Sequence, residues 1–450
     1  MIIVKNNLII RNAISTDAEQ LCAWWNDGKV MAHAGFPNGL SITPDKVRRD
    51  LAADCDETHR RHIIELDNVP VGEMNYRNKG GGVAEIGIKI CDFTKHEQGL
   101  GTTLLAMFID ALFTYYGYES VVLDTNAKNT RAQHVYEKLG FVNLGVRHNS
   151  WKDQLGEWQS SIDYRLGKKD WRFKVDYIRL RHEKQNDYHA VEELTREAFW
   201  AFWEPARQIC DEHLLVHRLR SALSFVPDLD FVAEMNSKTV GHIIYTKSKI
   251  VDDTGQEHET LTFGPLSVLP EYQSQGIGMA LLRHSLNDVR RLGYRAVLIF
   301  GHPDYYTRVG FKRATEFGIT TADGKTFDPF MVYPLYEGAL DGITGRYYID
   351  PVYEQLNEPD AIEFDKRFPL KVPFKPAPIG ILIDRLGEEA RKAIEGTGCL
   401  SLQIMTTKSE REIAELPGIT AGDIETIRAV LRENGVKWGR KLNHQYKHDI

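Results

Sequence analysis

Cysteine is scarce and scattered. The five thiols, Cys22, Cys55, Cys91, Cys210 and Cys399, form no Cys-x-x-Cys pair, which argues against a disulfide frame or a zinc cluster and for a reducing compartment. Positive charge is also short: a net charge of −7 argues against a nucleic-acid footprint over the whole molecule and leaves the closing stretch "KWGRKLNHQYKHDI" as a local basic patch. Long apolar runs are missing, so no segment reaches membrane-spanning length. The opening "MIIVKNNLII" has neither the length nor the small-residue cleavage site of a secretory signal. Together these absences lead us to expect a cytoplasmic protein with no membrane partner and no metal. At 450 residues the chain has material for two or three cores rather than one.

What the sequence does have is an internal repeat. The stretch "VLPEYQSQGIGMALLRHSL" begins at Val268, and a looser copy, "CDFTKHEQGLGTTLLAMFI", begins at Cys91, with glycine pairs 177 residues apart. Each glycine loop opens a segment with apolar residues at helical spacing: Leu104, Leu105, Phe108, Ile109 and Leu112 in the first, Leu281, Leu282, Leu286 and Val289 in the second. A short strand follows each helix, then a link ending in Tyr-x-x-x-Gly-Phe. Strand candidates precede each loop: "HIIEL", "PVGEMNY" and "AEIGIKI" in the first copy, "FVAEM", "TVGHIIYT" and "LTFGPLSV" in the second. The fold class is therefore α/β, with two mixed α/β domains in tandem over residues 1–170 and 171–368. A proline-rich linker over 369–379 and a small all-α unit over 380–450 follow.

Glycine at a strand-to-helix junction lets backbone N–H groups approach an anion closely, and the helix dipole adds positive potential there. Both copies, with Gln273-Ser-Gln-Gly276-Ile-Gly278 and the trailing Tyr136 and Tyr306, resemble the GNAT superfamily of acyl-CoA-dependent N-acyltransferases. The resemblance covers roughly the first three-quarters of the chain. It implies acetyl-CoA as cosubstrate, with the second-copy contacts at Leu266, Val268, Gln273, Ser274, Gln275, Gly276, Ile277, Gly278 and Met279. The first-copy positions are Cys91, His96, Gln98, Gly99, Leu100, Gly101 and Thr102, with Asn129 holding the cofactor arm. His96 departs from the family's Gln or Arg. The expected reaction is acetyl transfer to a primary amine, on a small molecule such as a polyamine or aminoglycoside or on a protein. The alternative is a CoA-binding sensor or scaffold with one or both domains catalytically degenerate.

The chemistry needs a proton for the departing thiolate and a base for the amine. The resemblance assigns the first role to Tyr136, with Tyr306 in the equivalent place; a core role beside Phe141 is the other reading of Tyr136. Asn129 and Tyr136, seven residues apart, are expected on one helix face. Glu85 in "AEIGIKI" is the candidate base, or else a solvated strand carboxylate. The second link is six residues shorter than the first, and "GHPDYYTRVGF" replaces the start of its helix. His302 there reads as a turn residue rather than a base.

In the first copy "WWNDGKVMAHAGFPNG" occupies the place where the superfamily builds its acceptor wall, so Trp24, Trp25, Asp27 and Phe36 are candidates for holding a cationic amine by ring faces and a carboxylate. At least one tryptophan is expected in the core. "FWAFWEPARQICDEHLL" plays the same part in the second copy. The last unit resembles the C-terminal domain of the RNA polymerase alpha subunit, a pair of helix-hairpin-helix elements. Its DNA-contacting positions fall on Glu389 and on Thr420-Ala421-Gly422-Asp423, which favours a protein partner over nucleic acid. Self-association is left open.

Overall fold

Alternation along the central strands decides how the first unit is layered. In β3 (His59–Leu66), Ile63 and Ile64 are both fully buried, yet they belong to different apolar clusters. Successive strand side chains point to opposite faces, so the sheet is covered on both. The computed structural model describes residues 1–96, 99–200, 210–371, 377–406, 408–434, 436 and 438. They form two compact units, Met1–Arg181 with Ala233–Lys238, and His182–Val232 with the chain from Thr239 on.

The first unit begins with the hairpin β1 (Ile2–Lys5) and β2 (Leu8–Asn12), followed by α1 (Ala18–Asn26), α2 (Gly28–Met31) and α3 (Pro44–Ala52). After β3 come β4 (Val69–Asn78), β5 (Val83–Ile90), α4 (Leu100–Thr114), β6 (Ser120–Asn126), α5 (Thr130–Lys138), β7 (Val142–Lys152) and β8 (Trp158–Gly167). The strands lie in the order β1-β2-β3-β4-β5-β6-β8-β7, antiparallel except for the parallel pair β5 and β6. The unit runs on to Arg181 because β9 (Ile178–His182) pairs antiparallel with β1. One face buries the apolar stripe of α4 together with Tyr136, Leu139 and Phe141. The other face buries Leu21, Trp25, Val47 and Leu51 from α1 and α3.

The parallel pair is where function enters. β5 and β6 pair at only three positions, ending at Glu85 opposite Val122. Beyond that β5 stays paired with β4 as far as Ile90, and β6 with β8 as far as Asn126. The two strands therefore splay, and backbone polar groups facing the gap are left without a strand partner.

The second unit repeats this plan with a shortened half. It contains α6 (Tyr188–Phe199), α7 (Glu212–Leu219), the start of β10 (Phe231–Met235, grouped with the first unit from Ala233), β11 (Lys238–Val251), β12 (Glu257–Val268), α8 (Ile277–Arg291) and β13 (Ala296–Phe300). The link that copies α5 shrinks to the single turn α9 (Pro303–Tyr306). Then follow β14 (Lys312–Arg313), β15 (Ile319–Thr321), β16 (Phe330–Pro334), β17 (Gly345–Tyr348) and α10 (Glu358–Asp365). Parallel strands β12 and β13 meet at Leu261 opposite Val297, while β12 continues along β11 to Val268. The C-terminal extension ties back at several places, among them the following two. β17 pairs with β11, and Asp365 makes a bidentate contact with the buried Arg196.

From residue 377 the described residues form five helices: α11 (Gly380–Ile383), α12 (Glu388–Glu395), α13 (Leu402–Met405), α14 (Glu410–Ala414) and α15 (Ala421–Glu433). They surround a cluster that includes Leu382, Ile394, Ile413, Ile427 and Val430. Two of these helices open with capping boxes, Ser409 with Glu412 and Thr420 with Asp423. Residues 372–376 of the expected linker and nearly all of the basic tail lie outside the described residues. No described helix is long and apolar enough to cross a membrane.

Candidate functional site

A cavity of about 1020 Å³ follows the splay in the first unit. Its walls are Ile86–Ile90 of β5, Asp124–Asn126 of β6, the start of α4 from Gly99 to Thr102, and residues of α5 including Tyr136. It lies at the upper end of the usual range for small-molecule sites, roughly 300–1,000 Å³.

Gly99 is the N-cap of α4 in the left-handed conformation, φ 73°, and Gly276 is the N-cap of α8 at φ 83°. Neither cap supplies a side-chain hydrogen bond, whereas Thr43, Asn129, Asn357 and Thr420 cap their helices in the ordinary way. The first-turn N–H groups of two 15-residue helices are thus left with no side-chain cap, the arrangement that suits a phosphate. Gly101 and Thr102 line the cavity at this end; Gln98 lies outside the described residues.

His96 proves compatible with such a loop. Its Nδ1 lies 2.9 Å from an Arg131 guanidinium nitrogen, which can only donate, so Nδ1 accepts; Nε2–H then donates to the Ile90 carbonyl at 2.9 Å. In the second unit Gln273 Nε2 donates to the Val268 carbonyl at 3.1 Å. Ile90 and Val268 are the last residues of β5 and β12, so imidazole and amide make the same tether from loop to strand end.

Tyr136 lines the cavity, is 7 % exposed, and packs against Phe141 and Tyr164. Burial first, then the nearby charge of Asp124, pushes its hydroxyl up to about 12. Asn129 also lines the cavity, but not from within the helix as the seven-residue spacing suggests. It is the N-cap of α5, and its Oδ1 accepts from the Ala132 N–H. That bond fixes the side chain at the cavity wall.

Glu85 sits on β5 with its carboxylate 2.9 Å from Lys79 Nζ, and it is not among the residues that line the cavity. The carboxylate that does line it is Asp124, which the sequence reading passed over. Desolvation raises this carboxyl above the ordinary aspartate range and Arg147, 3.3 Å away, pulls it back. Arg147 is committed mainly to Asp163, at 2.7 Å. Cys91 is buried just beyond the strand end, its thiol pushed up by burial and the Glu73 charge, and does not line the cavity.

The acceptor-wall segment reaches the cavity with different residues from those expected. Trp25 is buried and donates Nε1–H to Glu73 at 2.9 Å. Trp24 packs against the α1 and α3 cluster, Asp27 caps α2 by accepting from the Lys29 N–H, and Phe36 is exposed. None of the four lines the cavity; Lys29, Val30, His33 and Ala34 do, together with Trp151 from β7. The segment is clamped from the β7–β8 turn, where Gln154 donates to the Gly39 carbonyl and accepts from the Asn38 N–H.

In the second unit, Tyr306 packs among Phe263, Phe311 and Tyr305, and burial raises its hydroxyl. Tyr305 is the tyrosine against the glycine loop: a Cβ on Gly278 would stand 2.7 Å from its Oη, with Val268 and Leu266 behind. Ser274 takes a positive φ of 63° beside Gly276, Ile277 is buried, and Gln275 donates to the Glu271 carbonyl. Met279 lies in the first turn of α8. The aromatic stretch expected to play the acceptor wall here falls largely outside the described residues.

Two such loops on splayed sheets are matched by the comparisons. Two different models of the acetyltransferase (GNAT) domain match the chain, one over residues 7–142 and the other over 229–313. The chain is 31% identical over 135 residues to an uncharacterized N-acetyltransferase of Escherichia coli K12, YhbS, covering 30% of this chain and 78% of that protein. It is also 35% identical over 98 residues to another from the same strain, YjhQ, covering 22% of this chain and spanning about half, 54%, of that relative. The chain belongs to the GNAT acetyltransferase family. Similar solved structures include YhbS from Escherichia coli in complex with CoA, at 24% identity and TM-score 0.37 over 41% of this chain and 97% of that one. Another is spermidine N-acetyltransferase from Vibrio cholerae in complex with CoA and spermine, at 20% identity and TM-score 0.34 over 37% and 98%.

Proposed function

We propose that the first unit transfers an acetyl group from acetyl-CoA to a primary amine. The observation that carries the reading is one continuous cavity with the uncapped α4 start at one end and the Tyr136 hydroxyl within. The first-turn N–H groups of α4 hold the pyrophosphate, and the unpaired edge of β5 from Gly87 to Ile90 takes the amide-bearing arm. The Asn129 amide steadies that arm. Asp124 accepts the proton that the ammonium must lose, directly or through water, in the role first given to Glu85. The amine nitrogen then bonds to the thioester carbonyl carbon, the carbon–sulfur bond breaks, Tyr136 protonates the departing thiolate, and the second proton shed by the nitrogen restores the tyrosine hydroxyl through water. The balance is an ammonium plus acetyl-CoA giving an N-acetyl amide, free CoA and one proton.

The second unit has the same loop, tether and uncapped helix, which supports CoA binding there, with Tyr306 in the acid position. For the helical region after residue 377, the acidic Glu389 and Asp423 at the resembling hairpins support docking to a protein rather than to a polyanion. The test is thiol release by the full-length protein with acetyl-CoA and a panel of amines, parent against Tyr136→Phe. Turnover that Tyr136→Phe abolishes supports the first unit as the enzyme. Turnover untouched by it but abolished by Tyr306→Phe moves the chemistry to the second.

A further inference from the structure

The cavity is lined by residues from both faces of the sheet, and the two sides differ in what they offer. Tyr136 and the α4 apolar stripe belong to the face that carries Ile64, Ala84, Ile86 and Leu123. Helices α1 and α3 belong to the opposite face, with Ile63. Glu73 is paired with Ile63 across β3 and β4 and with Lys89 across β4 and β5, so Lys89 also points to the α1–α3 face. By the same alternation Asp124, next to Leu123, points there too. The glycine loop thus serves one mouth, and Lys29 and His33 the other.

The charges that line the cavity are five cationic side chains, Lys29, Lys89, Lys95, Lys128 and Arg131, against one carboxylate, Asp124, among the described residues. Lys95, Lys128 and Arg131 flank the α4 and α5 starts, where CoA phosphates would sit. Lys89 is pinned 2.9 Å from Glu73, whose same oxygen takes the Trp25 N–H. Lys29 is different. The Asp27 carboxylate engages its backbone N–H, and its ammonium has no carboxylate partner among the described residues. The cavity therefore holds one carboxylate, Asp124, and on the same side of the sheet a cation, Lys29, that has no carboxylate partner among the described residues.

Polyamines and aminoglycosides carry several ammonium groups at neutral pH. Once one is at Asp124, the others would meet the unpaired Lys29 within the same cavity, while Lys89 is already matched by Glu73 and offers them no carboxylate; the like charge at Lys29 opposes binding. Resting on the acetyltransferase reading above, we infer that the acceptor is an amine with an acid group of its own a few atoms away, its nitrogen at Asp124 and its carboxylate at Lys29. A free amino acid and the start of an acidic peptide share this chemistry.

The test uses the full-length protein with acetyl-CoA and matched acceptors: alanine against alaninamide, a peptide beginning Ser-Asp against one beginning Ser-Asn, and spermidine. The acid-bearing member of at least one pair should be preferred by about tenfold or more in kcat/KM, as a charge-assisted contact would give. The pair that responds tells the free amino acid from the peptide. In Lys29→Glu, whose exposed position makes folding safe and whose melting curve should match the parent's, that ratio should collapse towards one and spermidine should gain. A parent that prefers spermidine, or a ratio unchanged in Lys29→Glu, overturns the inference while leaving the enzyme reading intact. Transfer to no amine at all removes the acetyltransferase reading, and the inference with it.

Discussion

A tyrosine whose hydroxyl is pushed up to about 12 by burial is protonated throughout the physiological range, so Tyr136 can give a proton to a thiolate but cannot act as a base at pH 7. Phe at this position keeps the ring between Phe141 and Tyr164 and deletes only the proton. We expect the acylation rate to fall by about 10²-fold or more with CoA affinity nearly unchanged, measured by single-turnover kinetics and calorimetry. If the hydroxyl were only structural, its loss would instead cost about 1 kcal/mol of stability and leave turnover near normal. Asp124 makes the complementary prediction. Its carboxyl is raised by desolvation, and the form that accepts a proton is the carboxylate. Activity should therefore be present above the raised pKa and lost as pH falls through it. Asp124→Asn should lower kcat/KM by about 10²-fold and erase that acid limb; a pH profile with the limb intact would return the role to water or to the amine's own titration.

Between residues and the whole lies the loop that joins β5 to α4. His96 and Gln273 make the same bond to the last carbonyl of their strands, so the substitution from amide to imidazole conserves the tether while changing the residue. His96→Gln should bind CoA within about twofold of the parent. His96→Ala, which removes one net hydrogen bond worth about 1 kcal/mol, should weaken binding by about fivefold. Equal affinities for the two variants would show the tether to be irrelevant to the loop.

The loop and the repeat were legible because their signals are local: glycine at the junction, apolar spacing in α4 and α8, and Ser or Thr three residues before an acid at the last two helices. Which carboxylate lines the cavity was not, because that depends on where two strands stop pairing and on Lys79 reaching Glu85, neither of which spacing reveals; the base role given to Asp124 is our proposal. Asn129 was placed by counting turns, whereas its Oδ1 bond to Ala132 makes it the cap. In the acceptor segment the aromatics drew attention, yet α1 turns Trp25 into the core and leaves Lys29 and His33 at the cavity.

For the chain as a whole the repeat raises the question of whether one molecule holds two CoA sites. Both units show the same parts: a left-handed glycine cap, a helix start with no side-chain cap, a tether to the strand end, and parallel strands that part after a short contact. The one part whose residue differs is the tether, His96 in the first copy and Gln273 in the second, and both make the same bond to a strand-end carbonyl; an anion at either loop would be held by main-chain donors. Calorimetric titration of the full-length chain with CoA should therefore give two sites per molecule. Gly278→Val is the variant that separates them. A Cβ there would stand 2.7 Å from the Tyr305 hydroxyl, and the two further methyls would crowd Val268 and Leu266, closing the second loop without touching the first. One site should remain, with Tyr136-dependent acetylation retained. A parent stoichiometry of one, unchanged in Gly278→Val, would mean that the second unit keeps the shape of a CoA loop without its use. A stoichiometry that drops from one to zero would place the single working site in the second unit and reverse the roles given to the two copies.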